Sequence, residues 1–349
     1  MCGGRAIRAL AVRWLPLTSW LTLGGALACG CTDDDELTPR GTVGPVFLDG
    51  SRDAVAPQRD SGPADARQEP VSDATDAKAP PELSASECPE LPLPPSADRL
   101  EALTALALTE TRVYVATATK LHAFNRQGGC AGAKVGDLPH IARALAPGSA
   151  DSVIASVTGG PDAANGNVVL IEAGGSETTL CPDSAARSLD HVPELDVGYA
   201  ALVGAEIRKL RLAGPACTAE PVETGTSAAD ILAAAVDRVT SGVVVAVRRH
   251  ADERLVLTRL SDGAEATGPC SARALIDTQL GVATLDPVCA RVRFIAVDTG
   301  FERFTFSIPG GEIGRAIAAV PATGTQELAL GTVDASGRVR LRVIDVRAP

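Results

Sequence analysis

DILAAAVDRVTSGVVVAVRRHADERLVLTRL, residues 230–260, holds three apolar runs: DILAAAV (230–236), GVVVAVRR (242–249) and RLVLTRL (254–260). Each is shorter than a typical helix, and the second and third are rich in β-branched and leucine side chains, which points to strands. The polar pieces between them are short, so consecutive strands must lie side by side and antiparallel. A less regular fourth piece follows around TGPCSARALI (267–276). The stretch therefore predicts a four-stranded meander.

The same grouping recurs outward in both directions. RVYVATA (112–118), NVVLIEA (167–173), RVRFIAV (291–297), RFTFSI (303–308) and RVRLRVIDV (338–346) are further strand-like runs, and Asn165-Gly166 and Asp262-Gly263 are hairpin signals between such runs. With the second strong strand of each group as a marker, the groups start near Arg112, Ser152, Val197, Ser241, Arg291 and Glu327. The intervals run from about 36 to about 50 residues, against roughly 40 to 50 for a propeller blade. On these residues the chain resembles the β-propeller superfold, with six four-stranded blades over residues 99–349. It carries no blade-closing Trp-Asp dipeptide, kelch glycine pair or repeated Asp-box turn. The alternatives are a pair of β-sandwich domains, which would not keep a period, and a membrane β-barrel, which would carry aromatic girdles. The sixth group lacks an outer strand, and ECPELPLPP (87–95) is the segment expected to supply it, since prolines are tolerated on a sheet edge.

Ahead of the repeats lie two regions of different texture. Residues 1–31 read as an export signal, with Arg5, Arg8 and Arg13 before the apolar LPLTSWLTLGGALA (15–28). As a helix that run spans roughly 21 Å, short of the ~30 Å hydrocarbon core. ALAC and LACGC (26–31) resemble the lipobox of bacterial lipoproteins, in which small residues precede a cysteine that is diacylated and becomes the mature N-terminus. The resemblance implies lipidation of Cys29 or Cys31, which follow Ala28 and Gly30. Leu27 stands two residues before the first and four before the second, where the lipobox prefers three, so the choice stays open. An ordinary secretory signal is the alternative. The chain has nine cysteines; removal of everything before Cys31 leaves an even six downstream of the anchor, which tilts the choice to Cys31. Residues 32–98 are rich in Asp, Pro, Ala and Ser, and predict a disordered acidic linker with a span on the order of 45 Å.

Cys130, Cys181, Cys217 and Cys270 each follow the third strand of their group. Equivalent positions on neighbouring blades should exceed the ~7 Å Cα limit for a disulfide, so these four are not expected to pair among themselves. Cys270 and Cys289, which bracket the junction of groups four and five, are the candidate pair.

No catalytic constellation emerges. His122, His140, His191 and His250 occupy unequal places in their repeats and read as surface or loop residues, with no metal site expected. There is no Gly-x-Ser-x-Gly turn and no phosphate-cradling glycine loop, and no cofactor is expected. Trp14 and Trp20 both lie in the signal, so the mature chain has no tryptophan platform for stacking bases or sugars. A net charge of −11 repels nucleic acid. The first strands TALAL (104–108), RALAP (143–147), ILAAAV (231–236) and AIAAV (316–320) should face the channel, and their small apolar residues leave charged groups to come from loops. The expectation is an outer-membrane lipoprotein, attached through a covalent lipid, whose propeller binds or scaffolds an envelope protein or small ligand. The alternative is a propeller-fold hydrolase or lyase with a loop-borne site.

Overall fold

Six antiparallel sheets of four strands each take up β1 to β24, the strands of the described residues. The computed structural model describes residues 81–158, 166–203, 206–220, 230–238, 243–250, 252–321 and 327–346. Cys29 and Cys31, the signal, the linker as far as residue 80, and Asn165 of the first hairpin signal lie outside these residues. After β1 (Ala85–Glu87), blade one comprises β2 (Ala105–Leu108), β3 (Arg112–Ala116), β4 (Leu121–Gln127) and β5 (Cys130–Leu138). Blade two comprises β6 (Ala142–Pro147), β7 (Val153–Val157), β8 (Asn167–Ile171) and β9 (Glu177–Cys181), and blade three β10 (Ala186–Val192), β11 (Val197–Leu202), β12 (Ile207–Leu210) and β13 (Cys217–Glu220). Blade four is β14 (Asp230–Asp237), β15 (Val243–Arg249), β16 (Leu255–Arg259) and β17 (Glu265–Thr267); blade five is β18 (Ala274–Thr278), β19 (Gly281–Asp286), β20 (Arg291–Ile295) and β21 (Glu302–Ser307). The sixth sheet holds β22 (Ile313–Ala319), β23 (Glu327–Val333) and β24 (Val339–Asp345), with β1 as its outer strand. The first strands of the blades neighbour one another in turn, and β22 meets β2, so the sheets form a six-bladed β-propeller around a central channel.

The core is divided among the junctions between blades. Leu103 and Phe124 of blade one pack with Val333 and Leu341 of blade six, and Tyr114 and Leu121 pack with Val153 and Ile171 of blade two. Ile154 and Leu180 meet Leu202 and Leu210; Tyr199 and Ile207 meet Ile231 and Val236. Val245 and Val247 meet Leu275 and Ile295, and Phe294 and Phe304 meet Leu330 and Ile344. Burying a Leu, Val, Ile or Phe side chain contributes about 1.5–3 kcal/mol, and here each contribution requires two blades in contact.

Closure comes from the N-terminal side. β1 pairs antiparallel with β24, Ala85 opposite Ile344 and Glu87 opposite Arg342, and the Cys88 N–H donates to the Leu341 carbonyl at 2.9 Å. The folded unit therefore includes residues 81–98, which composition alone assigned to the linker, and the closing strand ends on the first residue of the proline-rich segment expected to provide it. Three disulfides brace the ring: Cys88–Cys130 joins blades six and one, Cys181–Cys217 joins two and three, and Cys270–Cys289 joins four and five. Alternate junctions are thus stapled.

Two expectations are corrected. Cys181 and Cys217 do pair, with Cα atoms 5.5 Å apart, because they are not equivalent: Cys181 ends the outer strand of its blade, whereas Cys217 begins the outer strand of the next. Cys88, just past β1, meets Cys130 at the start of β5 in the same way. In blade five, the run beginning at Arg291 is the third strand; the second is Gly281–Asp286. Its glycine opening hid it, yet Gly281 is required there: φ is +115°, and a Cβ would collide with the Ile295 carbonyl oxygen. Likewise ARALI (272–276) belongs to the first strand of blade five, and the fourth strand of blade four is the short β17.

Loop-closure entropy ranks the three staples. Sequence separations of 42, 36 and 19 residues correspond to about 4, about 4 and about 3 kcal/mol. Urea unfolding of C88S/C130S, C181S/C217S and C270S/C289S should show losses in that order, the last being smallest.

Candidate functional site

The inner strands of all six blades open with related residues. Leu103-Thr104-Ala105-Leu106, Ala142-Arg143-Ala144-Leu145, Ala186-Arg187-Ser188-Leu189, Ile231-Leu232-Ala233-Ala234, Ala272-Arg273-Ala274-Leu275 and Gly314-Arg315-Ala316-Ile317 occupy matching places. In four of them the ladder slips at the second residue. Ala142 and Ala144 oppose Val157 and Ser156, and the same shift skips Arg187, Leu232 and Arg315. The other two follow suit: the Thr104 N–H bonds the Ala116 carbonyl at 2.8 Å although Ala116 pairs with Ala105, and the Arg273 N–H bonds Leu285, which pairs with Ala274. A β-bulge leaves one residue out of the ladder and re-aims its side chain. Four such bulges, with Thr104 and Arg273 making the matching hydrogen bond just ahead of β2 and β18, place Thr104, Arg143, Arg187, Leu232, Arg273 and Arg315 around one end of the channel.

These residues line a cavity of about 460 Å³ that draws on the first strands of every blade. Its walls hold four guanidinium groups and the hydroxyls of Thr104, Ser188 and Ser271, but no carboxylate and no imidazole. The remainder is apolar, with Leu106, Leu145, Leu189, Leu232, Ile276 and Ile317 among it. In a chain of net charge −11, this is a local inversion of sign.

The arginines are held differently. Arg315 is buried and donates through Nε to the Leu103 carbonyl at 3.2 Å and through Nη2 to that of Leu100. Arg273 donates to the Arg315 carbonyl and, at 2.8 Å, to that of Thr104. Both are fixed by carbonyl dipoles, which orient a cation without cancelling its charge. Burial lowers the Arg273 pKa to about 10, and the neighbouring Arg315 charge adds to the effect; it remains protonated at neutral pH. Burial lowers Arg315 too, opposed by Asp98. Arg187 is paired with Asp230 at 2.6 Å. Arg143 is exposed and has no ion-pair partner among the described residues. The Ser188 hydroxyl is buried and has no hydrogen-bond partner among the described residues.

The histidines behave otherwise than their sequence positions suggest. His122 and His191 are buried on strands, not surface or loop residues. Antiparallel register sets His122 opposite Asp137, and its Nδ1 lies 2.7 Å from the carboxylate. Hydrogen bonds from Lys134 and then His122 pull Asp137 down to about 2. The other ring nitrogen faces the Thr117 hydroxyl at 3.5 Å, in a second cavity of about 420 Å³. That row has the order of a nucleophile relay, but the Thr117 hydroxyl is committed to its turn: it donates to the Lys120 carbonyl at 3.1 Å and accepts the Lys120 N–H at 3.2 Å. His191 sits 2.8 Å from the Pro147 carbonyl. Among the described residues, no three His, Cys, Asp or Glu side chains converge as a metal ion needs. No family model matches the chain, and no curated protein is significantly similar to it.

Where the inner strands end, the sign of charge reverses. Asp190, Asp237 and Asp277 close β10, β14 and β18, all three buried. Asp190 accepts the Val236 N–H at 3.1 Å, and Asp277 accepts that of Arg238 at 3.0 Å together with a bond from the Arg238 side chain. Burial, with the Asp277 charge adding to it, raises Asp190 from 3.8 to about 8, and burial raises Asp277 to about 6. Between its unfolded and folded values a group of this kind binds more protons in the fold, so stability falls as pH rises. His191, lowered by burial from 6.5, acts in the opposite sense below that pH. From about pH 6.5 to 8 the fall belongs to Asp190, at up to about 1.4 kcal/mol per unit. Urea midpoints across this window should decline in the native chain and flatten in Asp190→Asn, which keeps an acceptor for the Val236 N–H.

Proposed function

We propose that the protein is an exported lipoprotein of the outer membrane whose propeller binds an anionic small ligand in the arginine-lined mouth of its channel. The single observation that carries the binding role is the convergence of four guanidinium groups on a cavity with no acid in its walls. Taking the charges of Arg273 and Arg315 out of water without a counter-charge is unfavourable, and carboxylates and phosphates match the guanidinium fork. Binding is favoured over turnover because arginine does not exchange protons at neutral pH, and the lining has no carboxylate or imidazole to act as general acid or base.

The address rests on the lipobox-like residues around Cys29 and Cys31, and the disulfides suit an oxidising compartment outside the cytoplasm. Residues 32–80 have the composition of a tether between lipid and ring.

Two measurements test this. Intact mass of the protein extracted from its host membranes should show a lipid increment that disappears in only one of Cys29→Ser and Cys31→Ser; cleavage without lipid would remove the anchor. Calorimetric titration of the full chain in detergent with acetate or inorganic phosphate should give saturable binding that weakens with salt. Acetamide should not bind, and Arg315→Gln should weaken the anions by about 10- to 100-fold, the worth of a charged hydrogen bond. If no anion binds saturably, the site is not an anion site.

A further inference from the structure

The arginines are not spread evenly around the ring, and their placement limits the ligand. In order from blade one to blade six, the bulge residues are Thr104, Arg143, Arg187, Leu232, Arg273 and Arg315. Cations occupy blades two and three, then blades five and six; neutral side chains separate them at blades one and four. Blades two and five, like three and six, are half a turn apart in a six-bladed ring. The mouth therefore has two positive poles facing each other across the channel, with apolar side chains between them.

Resting on the anion-binding reading, we infer that the ligand is a small molecule with an anionic group at each end and an apolar middle, such as an α,ω-dicarboxylate or a phosphate ester of a carboxylic acid. One carboxylate reaches one pole and leaves the other uncompensated; a two-ended anion neutralises both and covers the intervening Leu106, Leu145, Leu189, Leu232, Ile276 and Ile317. A cavity of about 460 Å³ has room for such a molecule.

The poles differ in kind. Arg273 and Arg315 are pinned by the carbonyls of Thr104, Arg315, Leu103 and Leu100, so the pole of blades five and six is pre-set and takes the first anionic group. In the opposite pole, Arg187 already has Asp230, and the uncompensated charge belongs to the exposed Arg143. Arg143 thus selects for the second anionic group.

The test compares acetate with α,ω-dicarboxylates of increasing chain length on the full chain in detergent, by calorimetry. Affinity should rise to a maximum at one length, at least tenfold above acetate. Arg143→Gln, whose exposed side chain has no ion-pair partner among the described residues, should abolish that advantage and leave the unfolding midpoint unchanged. Arg187→Gln should cost less than Arg143→Gln. If acetate binds but no dicarboxylate exceeds the twofold statistical gain, or if Arg143→Gln leaves the advantage intact, the two-pole inference fails while the anion site stands. If neither class binds, both readings fall together.

Discussion

Closure of the ring is the constraint on which the rest of the molecule depends. Every apolar cluster is shared by two neighbouring sheets, so no blade possesses a core it could keep alone. The junction between blades six and one is the only one that the local order of the chain does not bring together, and there the contact is secured three ways: by β1 on β24, by the Cys88–Cys130 bond, and by the cluster of Leu103, Phe124 and Leu341. Loss of that junction would expose both halves of its cluster and free the ends of a chain whose remaining contacts are mostly long-range. The other two disulfides fall on alternate junctions, so disulfides tie the blades into three pairs, and packing together with the connecting backbone joins one pair to the next.

A closed ring fixes the level at which each inner strand begins, and this turns a local irregularity into a site. One β-bulge would merely re-aim one side chain; four of them, with two strand-entry residues at the same level, aim six side chains at a common space. The same arginines on mobile loops would separate and hydrate. Here the charge of Arg315 acts on Arg273, and the hydrogen bonds of both run to backbone carbonyls of an inner strand and of the segment leading into β2. On the anion-binding reading, the frame would hold a charge that a ligand relieves, electrostatic pre-organisation of the sort that favours anions over neutral analogues.

Much of this architecture was legible from residue pattern, because strand period, turn residues and a recurring spacing are local properties. The Asp262-Gly263 hairpin is one such case: it joins β16 to β17 with Gly263 at φ +69°. What escaped was phase. Ala-Arg-Ala-Leu recurs at 142–145 and 272–275, with Ala-Arg-Ser-Leu at 186–189, in plain view. Strict alternation does not say which face a bulged residue takes, so the small apolar neighbours dominated the reading of these strands and the charges were assigned to loops. The Cys181–Cys217 bond was missed for a related reason. Counting residues from the third strand made the two cysteines look equivalent, whereas one ends and the other begins an outer strand. His122 and Asp137 meet only through the register of β4 with β5, a relation across a bulged hairpin that spacing does not reveal.

The channel's two ends carry opposite chemistry, and this bears on what kind of device it is. An anion drawn to the arginine mouth meets, further along the inner strands, the buried carboxyl groups of Asp190, Asp237 and Asp277. There β10 and β18 approach one another across the axis, and Asp190 and Asp277 stand near enough for the charge of one to raise the pKa of the other. Asp277, raised only to about 6, is charged at neutral pH and holds Arg238, while Asp190 is protonated there, so the far end carries acids where the mouth carries arginines. On the anion-binding reading proposed above, the mouth would hold its ligand at one end of the ring, and the closed frame would keep the arginines at a fixed spacing.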